Sequence, residues 1–417
     1  MTKVAVIGAG VTGLTTAYEL LDRGFDVTVF DRHRYAAMET SFANGGQLSA
    51  SNAEVWTQWG IVLKGLKWML QADAPLLVNP APTLHKMRWM AEFLSNIPRY
   101  KQNTVETVRL AIAARAVLFE MADREGIDFD LERRGILHFY DRATDMAHAR
   151  KVNALLAEGG LVRRELAPDE IRDIEPALHG NFVGGFLTDS DSSGDIHKFT
   201  IGLSRACARR GATLRYGAQV EDLSAENGTV RVTEAGRDEV FDAVVVSAGI
   251  KSRGFARQLG DRVNIYPVKG YSVTVNLDDA ESQAAAPWIS LLDDRSKIVA
   301  SRFGANRFRI AGTAEFNGDN RDIRADRIRP LTEWCERHFP GISTENVTPW
   351  AGLRPMMPSM LPRVGAGQAP GVFYNTGHGH LGWTLSAATA RIVAATVAEA
   401  HGSTGAALPR LQPALAA

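Results

Sequence analysis

A short apolar run, Val4 to Ile7, leads straight into Gly8-Ala9-Gly10-Val11-Thr12-Gly13, and this junction constrains the fold more than any other stretch of the chain. A continuous apolar strand is what a parallel sheet covered on both faces requires. Leu14 to Arg23 then carries apolar residues at helical spacing, Gly24 stops it, and Asp26 to Phe30 reads as a second buried strand. Strand, glycine turn, helix and strand in that order make a unit that cradles a dinucleotide. Gly8 permits the tight turn, Gly10 lets the backbone approach a pyrophosphate, and Gly13 allows helix and strand to pack closely. The helix N-terminus offers N–H groups and the positive end of its dipole to the phosphates. Asp31, with Arg32 beside it, ends the second strand where a carboxylate can accept from an adenosine ribose.

An acidic residue at that position disfavours a 2′-phosphate, which leaves FAD or NAD. A second feature favours FAD. Ala243-Val-Val-Val-Ser-Ala248-Gly249 is an apolar strand ending in small residues, far along the chain from the first motif. A second approach to the cofactor is typical of FAD proteins and needless in a simple NAD dehydrogenase. Val220, Ala248 and Gly249 are therefore taken as further cofactor contacts.

The chain has 417 residues, too many for one ordinary core, so two domains are expected. Lysine plus arginine equals aspartate plus glutamate at 47 each, which leaves no basic excess for nucleic acid. The two cysteines, Cys207 and Cys335, fall in apparent helices without CxxC spacing, which argues against a disulfide framework or a structural zinc site. No metal is expected, and the thiols suit a reducing compartment. The N-terminus reads as a first strand rather than a signal peptide, and no run of about 18 apolar residues suggests a membrane span. A cytoplasmic location is the expectation.

Trp56 to Met121 reads as long helices broken by Pro75, Pro80, Pro82 and Pro98. Its tryptophans (Trp56, Trp59, Trp68, Trp89) alternate with Lys64, Lys67, Lys86 and Arg88. Functionally this is a peripheral contact at the inner face of the cytoplasmic membrane; otherwise it is helices packed over the second domain, the reading favoured. Strand signals follow at Gly135 to Tyr140, Phe182 to Leu187, Leu214 to Tyr216 and Thr229 to Thr233. Val263 to Leu277, Ile298 to Phe303 and Phe308 to Phe316 alternate in the antiparallel manner. Ile196 to Arg210 reads as an amphipathic helix. Val372 to Tyr374, a glycine loop and a helix from Leu385 to Ala398 close the pattern, with a loosely held tail after Gly402. These signals predict an α/β protein: a Rossmann-like FAD-binding domain (1–55, 190–255 and 345–417) and a discontinuous α+β substrate domain (56–189 and 256–344) on a mostly antiparallel sheet.

Four further motifs stand in order: Glu39-Thr-Ser41-Phe-Ala-Asn44-Gly-Gly46-Gln47-Leu48-Ser, Tyr266-Pro-Val-Lys-Gly-Tyr271-Ser, Trp350-Ala-Gly-Leu-Arg354-Pro-Met and Asn375-Thr-Gly377-His378-Gly379-His380-Leu381-Gly382-Trp383-Thr384. Together they resemble the FAD-dependent D-amino-acid dehydrogenase small-subunit family, in the glycine oxidase/D-amino-acid oxidase fold group. The resemblance implies non-covalent FAD, oxidation of D-amino acids to 2-oxo acids and ammonia, and electrons passed to a quinone or other respiratory-chain acceptor. It places Arg354 on the substrate carboxylate, for which a planar guanidinium fork is suited. Two departures from the family pattern, Pro358-Ser359-Met360-Leu361-Pro362 and His380, are expected to flank the site.

Tyr271, and more weakly Tyr266, are candidates for a hydroxyl contact to that carboxylate. His378 is read either as a residue near the flavin or as a histidine held for loop structure. His380 reaching the substrate would favour a polar or hydroxylated side chain. Ser41, Asn44, Gly46, Gln47 and Leu48 are expected along the pyrophosphate and flavin ring. The 377–384 segment opens a helix whose N–H groups face the flavin's pyrimidine edge, so Gly377, His378, Gly379, Leu381, Gly382, Trp383 and Thr384 join the cofactor contacts. Positioning then supplies most of the catalysis, and no nucleophile is needed. Two other readings remain: oxidation of secondary amines (glycine derivatives, sarcosine, D-proline or hydroxy-D-proline), and a flavin-holding partner subunit without activity of its own. Oligomeric state is left open.

Overall fold

The computed structural model describes residues 1–68 and 75–402, without the side chains of 64 and 66–68. The readings made for the side chains of Lys64, Lys67 and Trp68 and for the tail after Gly402 lie outside what is described.

The fold is α/β, built on two large sheets. Lys3–Ile7 lies inside a six-stranded sheet, paired in parallel with Asp26–Asp31 on one side and Ala243–Val246 on the other. Val372–Thr376 adds to the second of these, Arg363–Ala366 closes that edge antiparallel, and Thr213–Tyr216 closes the opposite one. Val4, Ala5, Val6 and all four residues of Ala243–Val246 have no exposed surface. That explains an apolar run without alternation: each valine removed from water on both faces stabilises by roughly 1.5–3 kcal/mol. The helices Val11–Asp22, Ile196–Arg209 and Gly382–Ala400 cover one face, and Val220–Glu226, Thr229–Glu234 and Arg237–Phe241 form a small antiparallel sheet against the other. Asp195 caps the Ile196–Arg209 helix, accepting from the N–H groups of His197 and Lys198 at 2.9 and 3.2 Å. Both cysteines are buried free thiols, and burial pushes each up to about 12.

The second sheet has nine strands and is mostly antiparallel, with Val347–Met356, Tyr266–Asn276, Arg307–Phe316, Ile298–Phe303 and Ser290–Asp293 side by side. Val347–Met356 pairs with Tyr266–Asn276 in this sheet, although the boundary proposed at 345 assigns it to the nucleotide-binding region. Pro349 and Pro355 lie inside this strand, which they can do because it is the edge strand. The 56–121 region holds the helices Trp59–Trp68, Leu84–Ser95 and Tyr100–Glu125, with a short strand, Leu76–Val78, between the first two.

One segment, Gly379–Ala400, is long and apolar enough to cross a membrane by length and composition. It is mostly buried, and its helix packs on those of Val11–Asp22 and Tyr100–Glu125.

Candidate active site

A cavity of about 620 Å³ runs between the two sheets. At one end the first glycine turn forms its wall. Gly8 has φ +110°, and a Cβ there would lie 2.6 Å from the Ser247 carbonyl oxygen. A Cβ on Gly13 would lie 1.8 Å from the Gly8 carbonyl oxygen, so this helix can approach its strand only with glycine at both places. Gly10 is different. A Cβ there would meet only Ser41 Oγ at 3.6 Å, which leaves open space on the cavity side.

Asp31 lines the same end. Its carboxylate accepts from the N–H groups of Ala9 and His33 at 2.7 and 2.8 Å, which orients it while leaving lone pairs free. Arg32, also lining, pairs with Glu39. Ser41 Oγ accepts from the Val11 N–H at 3.1 Å. Asn44 Oδ1 accepts from the Gly46 N–H at 2.9 Å, and Gln47 Nε2 donates to Ser290 Oγ and the Leu291 carbonyl, both at 2.9 Å. Val220, Ala248, Gly249, Gly377, Gly379, Leu381, Gly382, Trp383 and Thr384 line the cavity as well. Gly13 and Leu48 lie beneath the wall rather than on it.

Several buried polar atoms of the cavity lining find no hydrogen-bond partner among the described residues, among them Gln47 Oε1, Ser247 Oγ and Trp383 Nε1. Unmet buried polar groups are costly, and a row of them on a cavity wall marks where a polar ligand completes the bonding. An open glycine cradle, an oriented carboxylate and this row fit an elongated dinucleotide.

At the other end stands Arg354. Its side chain crosses the neighbouring strand at Gly270, where a Cβ would lie 2.3 Å from the guanidinium carbon. Its Nη1 then donates to the Thr313 carbonyl, one strand further on, at 2.8 Å. Thr313 has φ +60° at a register shift between the Tyr266–Asn276 and Arg307–Phe316 strands, a conformation that costs a non-glycine residue about 1–3 kcal/mol. Burial pushes Arg354 down to about 10, still cationic at neutral pH, and among the described residues no carboxylate pairs with it. A lining cation without a counter-ion is suited to a ligand's carboxylate.

The other residues proposed for this end are placed differently. Tyr271 lines the cavity, but its hydroxyl donates to Glu315 Oε2 at 2.8 Å. Tyr266 lies outside the cavity, stacked on Phe316, with its hydroxyl accepting from the Gly318 N–H at 3.2 Å. The His378 backbone lines the cavity, but its imidazole turns inward, with Nε2 at 2.9 Å from Thr389 Oγ1. Burial lowers that imidazole to about 3, so it is a neutral structural group and not an acid or base toward the cavity.

Residues 358–362 do not line the cavity. Met360 packs in a buried apolar cluster with Trp89 and Met356, so of the two departures only His380 faces the space. In the tryptophan-rich stretch Trp89 is buried and donates to the Met356 carbonyl at 2.9 Å, and the Lys86 ammonium donates to the carbonyls of Asn79 and Ala81. Trp59, Leu63, Leu84 and Met87 are exposed. Sequence reasoning missed Gly270, Thr313, Asp294 and Lys297, all on the cavity wall. Gly270 lay inside a motif already singled out, and it was the one available signal.

Residues 3–396 match the family model described as FAD dependent oxidoreductase. The chain is 63% identical over 402 residues to D-amino acid dehydrogenase 3 of Mesorhizobium japonicum, covering 95% of this chain and 97% of that one. It is 41% identical over 404 residues to a D-amino acid dehydrogenase of Paramagnetospirillum magneticum, covering 94% of each. Among solved structures, glycine oxidase from Bacillus cereus superimposes with a TM-score of 0.74 at 20% identity, covering 97% of this chain and 96% of that one. L-proline dehydrogenase from P. horikoshii gives 0.73 at 15% identity, covering 95% and 93%. At those identities the likeness to solved structures is one of fold.

Proposed function

The chain belongs to the FAD-dependent oxidoreductase family, with FAD as its cofactor and amino-acid-like molecules as its substrates, and from that premise we propose that it is a D-amino-acid dehydrogenase. In this reading it converts D-amino acids to 2-oxo acids and ammonia and passes the electrons to a quinone or another acceptor. The observation that supports it best is Arg354, a cavity-lining residue whose guanidinium is laid over Gly270 and has no carboxylate partner among the described residues.

FAD, when bound, would supply at its N5 the hydride acceptor for the α-C–H bond. Gly8, Gly10, Asp31 and the 377–384 segment would hold it. The chain's other task is placement. Arg354 grips the carboxylate through two parallel N–H bonds and fixes which face of the α-carbon is presented. The Thr313 carbonyl and Gly270 hold the guanidinium flat, so little ordering remains to be done when substrate arrives. No side chain is required to take the amine proton if the amine binds neutral, and water hydrolyses the imine product to 2-oxo acid and ammonia. Exposed Trp59, Leu63, Leu84 and Met87 support a peripheral contact with the membrane in which a quinone would be met.

Anaerobic titration of the yellow protein with D-amino acids tests this. L-enantiomers, glycine, sarcosine, D-proline and 4-hydroxy-D-proline serve as controls. Bleaching of the flavin band by D-primary amino acids and not by their L-forms is the expected result. Bleaching by cyclic or N-methylated substrates alone would move the assignment to secondary amines. No bleaching of an FAD-loaded protein would leave Arg354 without its role and favour a partner subunit.

A further inference from the structure

The cavity has a polar wall that the carboxylate clamp leaves unused. Arg354 reaches the Thr313 carbonyl, so its guanidinium lies toward the Arg307–Phe316 strand. The next strand, Ile298–Phe303, pairs with that one at Ile298 and Gly312, and a Cβ on Gly312 would lie 2.9 Å from the Lys297 carbonyl oxygen. Adjacent strands are about 4.8 Å apart, so Lys297 starts one strand beyond the clamp. Asp294 and Lys297 bound the short turn between Ser290–Asp293 and Ile298–Phe303, and both line the cavity. They form an ion pair, yet their side chains keep 33% and 38% of their surface exposed. Burial opposes charge on both, but the Lys297 ammonium still holds Asp294 down to about 2.

His380 lines the same cavity, stacked on Trp56 with ring centroids 4.9 Å apart and planes 19° from parallel. Burial, followed by the charges of Arg354 and Lys297, pushes the imidazole down to about 3. A neutral imidazole offers one donor and one acceptor. Among the described residues neither ring nitrogen has a well-formed hydrogen bond, although the Asn52 backbone faces the ring. The loop carrying Asn52 is firmly held. The two carboxylate oxygens of Asp191 accept from the N–H groups of Ala50 and Ser51, each at 3.0 Å, and Ser51 Oγ lies 2.9 Å from His138 Nε2. A rigid wall with unmet donor and acceptor capacity discriminates among side chains.

Resting on the reading that Arg354 holds the α-carboxylate, we propose that His380, Lys297 and Asp294 form a side-chain subsite that selects amino acids bearing a neutral hydrogen-bonding group, a hydroxyl or a carboxamide. Charge decides against ionised side chains. Asp294 already neutralises Lys297, and the substrate carboxylate neutralises Arg354, so a further anion or cation would be desolvated without a partner. The imidazole, able both to give and to accept, complements groups that do the same.

The test measures kcat/KM on the FAD-loaded enzyme for isosteric pairs: D-serine against D-2-aminobutyrate, and D-asparagine against D-leucine. The polar member is expected to win by roughly tenfold or more. His380→Leu and Lys297→Met should each cut that ratio by roughly fivefold, whereas His380→Gln, which keeps a donor and an acceptor, should retain most of it. Each variant is assayed as purified flavoprotein, and Lys297→Met carries the comparison if His380→Leu does not hold FAD. Equal rates within each pair, or ratios unchanged in both variants, overturn the subsite and leave the clamp standing. Failure of every D-amino acid to reduce the flavin overturns the clamp reading and the subsite together.

Discussion

At one end of the cavity the wall is backbone: Gly8, Gly10 and the start of the helix at Val11 come from one run of consecutive residues. At the other end Arg354, Gly270 and Thr313 come from three successive strands of the sheet that are far apart in the chain, and Lys297 comes from the turn that leads into the next strand. In the proposed reading the first end would recognise phosphate and ribose, which every molecule of the cofactor carries, so it can be made of groups that no substitution removes. The second must fit one kind of side chain, and it is made of groups that substitution can exchange. Its fold-level demand is correspondingly small. Damage to the first end should therefore destroy the holoprotein, and damage to the second should change chemistry while leaving the yellow protein intact.

The severest break is Gly13→Val. The new Cβ would fall within the Gly8 carbonyl, and Gly8 is itself pinned by its N–H to the Phe30 carbonyl at 2.8 Å. A flavin-to-protein ratio below roughly a tenth of wild type is expected from the absorbance spectrum of whatever purifies. A normal ratio would mean that the backbone end can yield after all.

Arg354→Met should lower kcat/KM by about 10²–10³, or roughly 3–4 kcal/mol of transition-state stabilisation, with FAD content unchanged. Loss of FAD in that variant would show that the two ends are not separable. Gly270→Ala sharpens the point, since it alters no functional group. Its methyl would displace the guanidinium, and a fall of about tenfold in kcat/KM is expected. Wild-type kinetics there would indicate that the flat arginine pose is dispensable.

The smallest effect lies at the seam. His378 titrates near 3 in the fold against an ordinary 6.5, so below pH 6.5 the unfolded chain binds the proton that the folded one refuses. Its contribution to stability is complete above about pH 6.5 and declines as pH falls toward 3, by up to about 2 kcal/mol at pH 5. The fall in Tm between pH 7 and pH 5 should be smaller in His378→Asn than in wild type. Identical falls would mean that the imidazole is not the buried neutral group described.

The same contrast explains what the amino-acid sequence disclosed. The first strand, its glycine turn and the second strand were legible because each signal acts on adjacent residues. Even there the helix begins at Val11 and not at Leu14, because Gly13, read as turn, is helical and needed for clearance from Gly8. The covering helices were recognisable as well, the one at Ile196 from its amphipathic period and the last one from Leu385 onward, although it starts at Gly382. The substrate end was not legible in this way. Nothing near Tyr271 reveals that Glu315, on the adjoining strand, captures its hydroxyl. Nothing near Arg354 reveals that Pro355 sits in an edge strand or that Thr313 receives the guanidinium. Such facts are properties of sheet register, set by pairings between distant segments.

The order of strands in the six-stranded sheet also governs how the protein can be made. Val4 has its partners at Val27 and Ala243, and Ala243–Val246 waits in turn for Val372–Thr376. A ribosome delivers the glycine turn well before the strands that flank its own, so the sheet that gives it rigidity closes only once Val372–Thr376 has emerged. Pairings of such long sequence separation form slowly and leave bare strand edges meanwhile. Until then the nascent chain carries a nucleotide motif with nothing behind it, and the flavin can be captured only after those strands have joined.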